Sequence, residues 1–297
     1  MNGKALSTVS KSHAVRKKEG MFSITVKRLF KNKLATAGLA ALLVLIFCAI
    51  FAPLVAPYSP TEMDPMALNA PPSAKHIFGT DSLGRDTFSR LIYGGRLSLS
   101  MGFLASLLSS ICSIVIGSVA GYFGGKVDNV IMRVCDVVQA IPGILIAIVL
   151  CTAFGDGYVN TIMAMTLGGI APGVRQSRSL IMSERSNEYV EAARSINCST
   201  PRVLFYHMLL NISPLMIVNL TMGMGSIIML AASLSFIGLG IQPPAAEWGA
   251  MLSAARATFR NFPWQIVFPG LFIFITVLAI NLFGDGLRDA LDPKLTD

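Results

Sequence analysis

The segment LATAGLAALLVLIFCAIFAPLVA, residues 34–56, contains no charged side chain. At 1.5 Å per helical residue it outreaches the roughly 30 Å hydrocarbon core of a bilayer, whereas a surface helix of a soluble domain is polar on one face. The chain is therefore expected to cross a membrane. Residues 1–33, just before it, hold nine Lys or Arg. The apolar run exceeds the core of a signal peptide and has no convincing small-residue cleavage site, so it is taken as a retained anchor.

Five further apolar stretches of comparable size follow, at about 97–122, 131–154, 158–180, 214–240 and 265–283. The expected fold is all-α, a polytopic membrane protein of about six transmembrane helices. Its parts are an N-terminal segment 1–33, a first transmembrane helix 34–56, an external loop 57–96, a five-helix core 97–283 and a tail 284–297. Composition agrees, because 53% of the residues are hydrophobic and 13% charged, against about a quarter charged in soluble domains. The fourth stretch is the most polar, since Arg175 and Arg178 follow on Val174.

Lys and Arg collect in the cytoplasmic loops of such proteins, and that gives the orientation. With the N-terminus inside, the inner segments hold eighteen of the twenty-four basic residues and the outer loops six. Both termini and the loop 175–213 are expected in the cytoplasm. The net charge of +8 then follows from topology. The basic residues flank apolar runs without interleaved aromatics, unlike a nucleic-acid surface. Cys48, Cys112, Cys135 and Cys151 lie in or beside apolar runs and Cys198 in a basic loop, so no spacing suggests a disulfide framework or a metal site.

Chemistry inside the bilayer needs ionisable groups there, and almost none are present. Arg133 and Asp136 come nearest and are spaced for an intrahelical pair. A phosphate loop requires G-x-x-x-x-G-K-[ST]; the closest match has Ala120 for the first Gly and Val127 after Lys126. His13, His76 and His207 are scattered, with no catalytic pattern around them. Gly117 with Gly121, and Gly169 with Gly173, form G-x-x-x-G pairs that let helix backbones approach. Pro142, Pro172 and Pro269 should kink or end helices, while Met222, Met224 and Met229 offer either an adaptable lining or ordinary packing.

Two hydrophilic segments matter. In 57–96, early prolines predict an irregular loop, and Asp86 is placed to cap a short interfacial helix with Phe88, Leu91, Ile92 and Gly95 on one face. In 187–211, two short helices are expected around a tight turn at Asn197-Cys198-Ser199. Glu188 and Glu191 sit near the positive end of the first helix dipole and Arg194 near its other end. Tyr189, Ala192, Ala193 and Ile196 follow i, i+3, i+4, i+7 and form a narrow apolar stripe. Asn197 suits a left-handed cap, Ser199 or Thr200 a following N-cap, and Pro201 the first turn after it. By residue chemistry this pair either lies on the inner leaflet or enters a groove on a soluble partner.

The stretch Glu188-Tyr189-Val190-Glu191-Ala192-Ala193-Arg194 resembles the EAA motif of ATP-binding-cassette (ABC) importer permeases, which is E-A-A, three residues, then Gly. The whole chain is similar to the second permease of dipeptide, oligopeptide and nickel importers. Matches include Phe78-Gly79-Thr80-Asp81, Gly84-Arg85-Asp86, Ser235-Phe236-Ile237-Gly238, Trp248-Gly249 and Leu291-Asp292-Pro293. Asn197 stands where the motif has Gly, and Leu210 where relatives often have Pro. The resemblance implies a subunit forming half of a pore, for peptides or alternatively nickel. It implies an EAA-type coupling loop at about 184–211, with Tyr189, Glu191, Ala192, Ala193, Arg194, Ile196 and Asn197 at an ATPase contact. Gly79, Asp81, Gly84, Arg85 and Asp86 form the external-loop family motif. The implied partners are a second homologous permease, ABC ATPases that bind ATP and magnesium, and an external substrate-binding protein, in a bacterial or archaeal plasma membrane. The chain itself is expected to be no enzyme and to hold no cofactor or metal. A gradient-driven transporter is the competing class; it lacks the buried acids such a site needs.

Overall fold

The computed structural model describes residues 21–291, whose regular structure is helical apart from one bridge between Thr80 and Asp86. The basic segment up to residue 20, with His13, and the tail from Asp292 lie outside the described residues. Helices α1 (Met21–Lys31) and α2 (Lys33–Ile50) meet at Asn32, whose side chain accepts from the amides of Leu34 and Ala35 at 3.1 and 3.2 Å. Two donors that a helix start leaves unpaired are thereby satisfied. A turn of helix, α3 (Ala52–Val55), leads into the irregular segment 56–86.

Helix α4 (Thr87–Phe123) begins under Asp86, whose carboxylate accepts from the amide of Ser89 at 2.7 Å. The cap is as expected; the short interfacial helix is not. With 37 residues and no internal proline, α4 rises about 55 Å, and its first turns simply begin a helix long and apolar enough to cross a membrane. Leu91 and Gly95 pack on Trp248 and on Ala49 of α2, inside the protein.

The third apolar stretch begins earlier than 131 and is interrupted at Pro142, where a kink or end was expected. It forms α5 (Gly125–Gln139) and α6 (Gly143–Phe154), bent by 84° across residues 140–142. Pro142 lacks an amide hydrogen and disfavours helical backbone at Ile141, so the helix stops there. Helix α7 (Tyr158–Arg185) runs through Pro172, and α12 (Trp264–Leu291) through Pro269. Between them come α8 (Glu188–Ser195), α9 (Thr200–Arg202), a π-helical turn (Val203–Met208), α10 (Leu209–Phe236) and the short buried α11 (Trp248–Ala255). The second short helix expected after Asn197 is therefore the start of a run continuous from Thr200 to Phe236.

Among the described residues four helices are long and apolar enough to cross a membrane: α2, α4, the Thr200–Phe236 run and α12; the bent α5–α6 pair makes a fifth if it forms one broken span. Helix α7, 28 residues long, lies parallel to α4. Its polar second half keeps its hydropathy below theirs. Both G-x-x-x-G pairs face this α4–α7 seam, Gly117 and Gly121 buried and Gly169 and Gly173 half-buried. A methyl group on Gly117 would come within 2.6 Å of Ser177 Cβ, and one on Gly173 within 2.7 Å of Ser113 Cβ. Small residues on each helix thus set how closely the two backbones lie. Helix α2 packs antiparallel on α12, where a Cβ on Gly38 would meet the carbonyl oxygen of Ala279 at 2.7 Å.

Candidate functional site

Three regions of the molecule offer functional chemistry: the α8 loop at one end, segment 57–86 at the other, and a groove between them. Helix α8 closes in a paired C-cap. The amide of Asn197 donates to the carbonyl of Arg194 at 2.9 Å, and that of Cys198 to Ala193 at 3.1 Å. Asn197 has φ of 59°, the left-handed conformation expected of it. Ser199 sits at the following N-cap position without a side-chain capping bond, and Pro201 lies in the first turn.

The expected stripe on α8 divides. Val190 and Ala193 (8% exposed) are buried with Ile181 of α7 and with Val203, Leu204 and Met208. Ile114 and Tyr122 of α4 pack against the same cluster. Arg194 lies over the Tyr122 ring at 5.2 Å from its centroid. Glu191, Ala192 and Ile196 (77% exposed) face outward. Tyr189 is half-buried and donates to Glu184; burial first, then that bond, raises its phenol pKa. Ala193 therefore supports α8 from beneath, and the protruding surface is carried by Ala192 and Ile196. Spacing alone gave one narrow stripe; tertiary contact divides it between a buried and an exposed side.

At the opposite end, segment 57–86 is irregular in backbone but tightly bonded. Asp81 accepts from the amides of Leu83 and Arg85 at 2.9 and 3.0 Å and from the Arg85 guanidinium at 2.7 Å. The carboxylate of Asp86 also meets Nδ1 of His76 at 2.9 Å. Gly84, with φ of 74°, passes so near Asp64 that a Cβ would lie 2.0 Å from its carbonyl oxygen, so this position admits only glycine. Arg85 and Arg90 are both buried, and Arg90 donates to the carbonyl of Pro60 at 2.7 Å. Gly79, Asp81, Gly84, Arg85 and Asp86 thus build the segment from inside. Its outer surface instead exposes Met63, Met66, Leu68, Ile77 and Leu83 among the exposed polar residues Thr61, Glu62, Ser73 and Lys75. Exposed Lys75 pairs with Asp64 at 2.8 Å, which lowers the Asp64 pKa and raises that of Lys75.

Between the ends, α4, α7 and α10 enclose an open groove of 280 Å³. Its floor is stitched by Ser106, which donates to the carbonyl of Leu220 at 2.9 Å, and by Ser113, which donates to Ile170 at 3.0 Å. The polar residues Ser110, Gln176, Asn219 and Ser226 also line it. None of these was singled out from sequence. The signal was there in Ser106, Ser109, Ser110 and Ser113, spaced i, i+3, i+4, i+7 inside an apolar run. Of the three methionines, Met222 packs at Gly284 and Met224 lines an apolar crevice beside α2. Met216 does reach the groove. Among the described residues no group of three His, Cys, Asp or Glu is placed to hold a metal.

Residues 113–297 match the model of the family described as binding-protein-dependent transport system inner membrane component, and residues 20–72 match the N-terminal transmembrane domain of oligopeptide transport permease C. The chain is similar to the Di/tripeptide transport system permease protein DppC of Pseudomonas aeruginosa, 44% identical over 270 residues, 89% of each chain. It is 43% identical to the Dipeptide transport system permease protein DppC of Alkalihalophilus pseudofirmus, over 91% of this chain and 88% of that one. The Glutathione transport system permease protein GsiD of Escherichia coli is 44% identical over 91% of this chain and 89% of its own. Matched along nine-tenths of its length and helical throughout its described core, the chain belongs to the binding-protein-dependent transport system inner membrane components, a family of multi-pass transport permeases.

Proposed function

We propose that this chain forms half of the pore of an ATP-driven importer of short peptides, together with a second homologous permease. Separate ABC ATPases bind ATP and magnesium, and an external binding protein delivers the peptide. The observation that carries this is identity of 43–44% along nine-tenths of the chain to permeases named for dipeptides, di- and tripeptides and glutathione. Glutathione is itself a tripeptide, so the names agree on one substrate class. They give no support to nickel. The excess of Lys and Arg in alternate loops supports a cytoplasmic α8 end, an external segment 57–86 and both termini inside.

Helix α8 is the coupling element. It protrudes through Ala192 and Ile196 while Val190 and Ala193 hold it to the ends of α4, α7 and the Thr200–Phe236 run. These helices also line the groove. A push on α8 therefore moves the walls of the groove as a packed unit, the rigid-body kind of switch that alternates access. The outer face of segment 57–86, around Met66 and Ile77, is the docking surface for the binding protein.

The test uses the assembled complex. Ile196→Asp and Ala192→Asp place a carboxylate on the protruding face and are expected to abolish ATPase co-purification and peptide uptake, with membrane insertion intact. An unpaired carboxylate at a desolvated contact costs several kcal/mol. Full co-purification and uptake in both variants would return α8 to the surface of the inner leaflet. Ala193→Asp is the less discriminating variant, since it also buries charge in the chain's own core.

A further inference from the structure

The groove between α4, α7 and α10 carries polar groups that the molecule leaves without partners. Asn219 lies midway along the continuous run Thr200–Phe236, and Gln176 lies in the second half of α7. Neither amide, nor the hydroxyl of Ser110 or Ser226, has a hydrogen-bond partner among the described residues, and all four line the groove. Ser109 is 7% exposed, lines the same groove and has an equally unpartnered hydroxyl. In hydrocarbon each such group costs free energy, so this wall faces water or a polar guest. The floor serines Ser106 and Ser113, by contrast, bond across to neighbouring helices. Structural hydroxyls and unpartnered ones therefore lie side by side.

Among the described residues no Lys, Arg, Asp, Glu or His lines the groove. Amides and hydroxyls both donate and accept, as a peptide backbone does, and they hold no fixed charge that would prefer one side chain or trap a terminus. We infer that this wall is the guest-contacting surface of the translocation path, with Ser109, Gln176 and Asn219 as contacts to the peptide backbone that do not discriminate side-chain charge. The inference rests on the importer reading above. It assigns the polar surface to the peptide itself, while the binding protein retains selection. A charged wall would hold oppositely charged peptides and repel like-charged ones; an uncharged wall passes both.

The experiment compares uptake of neutral, acidic and basic dipeptides by the whole complex in proteoliposomes, each at saturating binding protein. The wild type is expected to carry all three at similar rates. Asn219→Asp and Gln176→Glu are nearly isosteric and should retain assembly, read as co-purification of the partner subunits. Each should lower uptake of the acidic dipeptide relative to the basic one by about five-fold, as one unit charge beside a wet path acts on another. Equal effects on all three peptides, or none, would overturn the proposal. In a second measurement, Asn219→Cys in a background without native cysteines should react with a small hydrophilic thiol reagent and lose uptake. An unreactive Asn219→Cys, or one that reacts without loss, would also overturn it. If the wild-type complex carries no dipeptide at all, the importer reading fails, while reactivity at residue 219 still reports separately on whether the wall is wet.

Discussion

Asn197 occupies a place where glycine is the least strained residue. Its φ of 59° costs a side chain more than glycine, although asparagine tolerates the region better than most. Asn197→Gly is therefore expected to leave docking intact and to stabilise α8 slightly. Asn197→Val, a β-branched residue forced left-handed, should destabilise the cap by about 1–2 kcal/mol. Hydrogen exchange at the amides of Asn197 and Cys198, the two donors of the cap, reads both effects. Equal protection in the two variants would show that the cap bonds do not hold the helix end. The need for such a residue was legible in sequence, because capping depends on a few adjacent positions. The inward seat of Ala193 was not. It depends on Ile181, Val203 and Met208, which other segments bring to it.

For helices the informative contrast is between glycines that touch a neighbour and those that do not. Gly173→Val adds atoms where the first side-chain carbon would already lie 2.7 Å from Ser113 Cβ, whereas a Cβ on Gly270 of α12 meets nothing within 4 Å. Overpacking of this kind costs about 1–3 kcal/mol. Gly270→Ala should be neutral or mildly favourable, since alanine gains up to about 1 kcal/mol over glycine in a helix. Thermal unfolding of the purified complex distinguishes them: a lower Tm for Gly173→Val and an unchanged or higher one for Gly270→Ala. A Tm unmoved by Gly173→Val would mean that the α4–α7 seam is loose enough to yield. The seam continues to α5, where Arg178 makes a two-pronged bond to Asp128. Arg175 likewise reaches Asp136 at 2.7 Å. Asp136 was expected to pair with Arg133 within its own helix. The 84° bend instead turns α5 so that its acids meet α7.

For the molecule as a whole the testable quantity is topology. Met66, 94% exposed in segment 57–86, and Ile196, on the protruding side of α8, are suited to single-cysteine labelling in a background without native cysteines. An impermeant thiol reagent on whole cells should label Met66→Cys at once and Ile196→Cys only after permeabilisation. The reverse order would invert the protein in the membrane. Glu247, at the start of α11, is unsuitable. It is buried, caps α11 through the amides of Gly249 and Ala250, and accepts from Ser98 at 3.0 Å.

Hydrophobic length, charge placement and breakers are properties of contiguous segments. The membrane class, the approximate helix positions, the break at Pro142 and the caps at Asp86 and Asn197 could accordingly be read along the chain. The direction in which each helical face points arises from pairs of segments far apart in sequence. Arg85 looks like a surface charge until Asp81 and the buried start of α4 enclose it. Ser109 and Asn219 look like isolated polar residues in apolar runs until α4, α7 and α10 bring them to one wall. A one-dimensional pattern tells how much of a helix is apolar; which part of that surface meets a neighbour, a partner or water is fixed by close packing between helices.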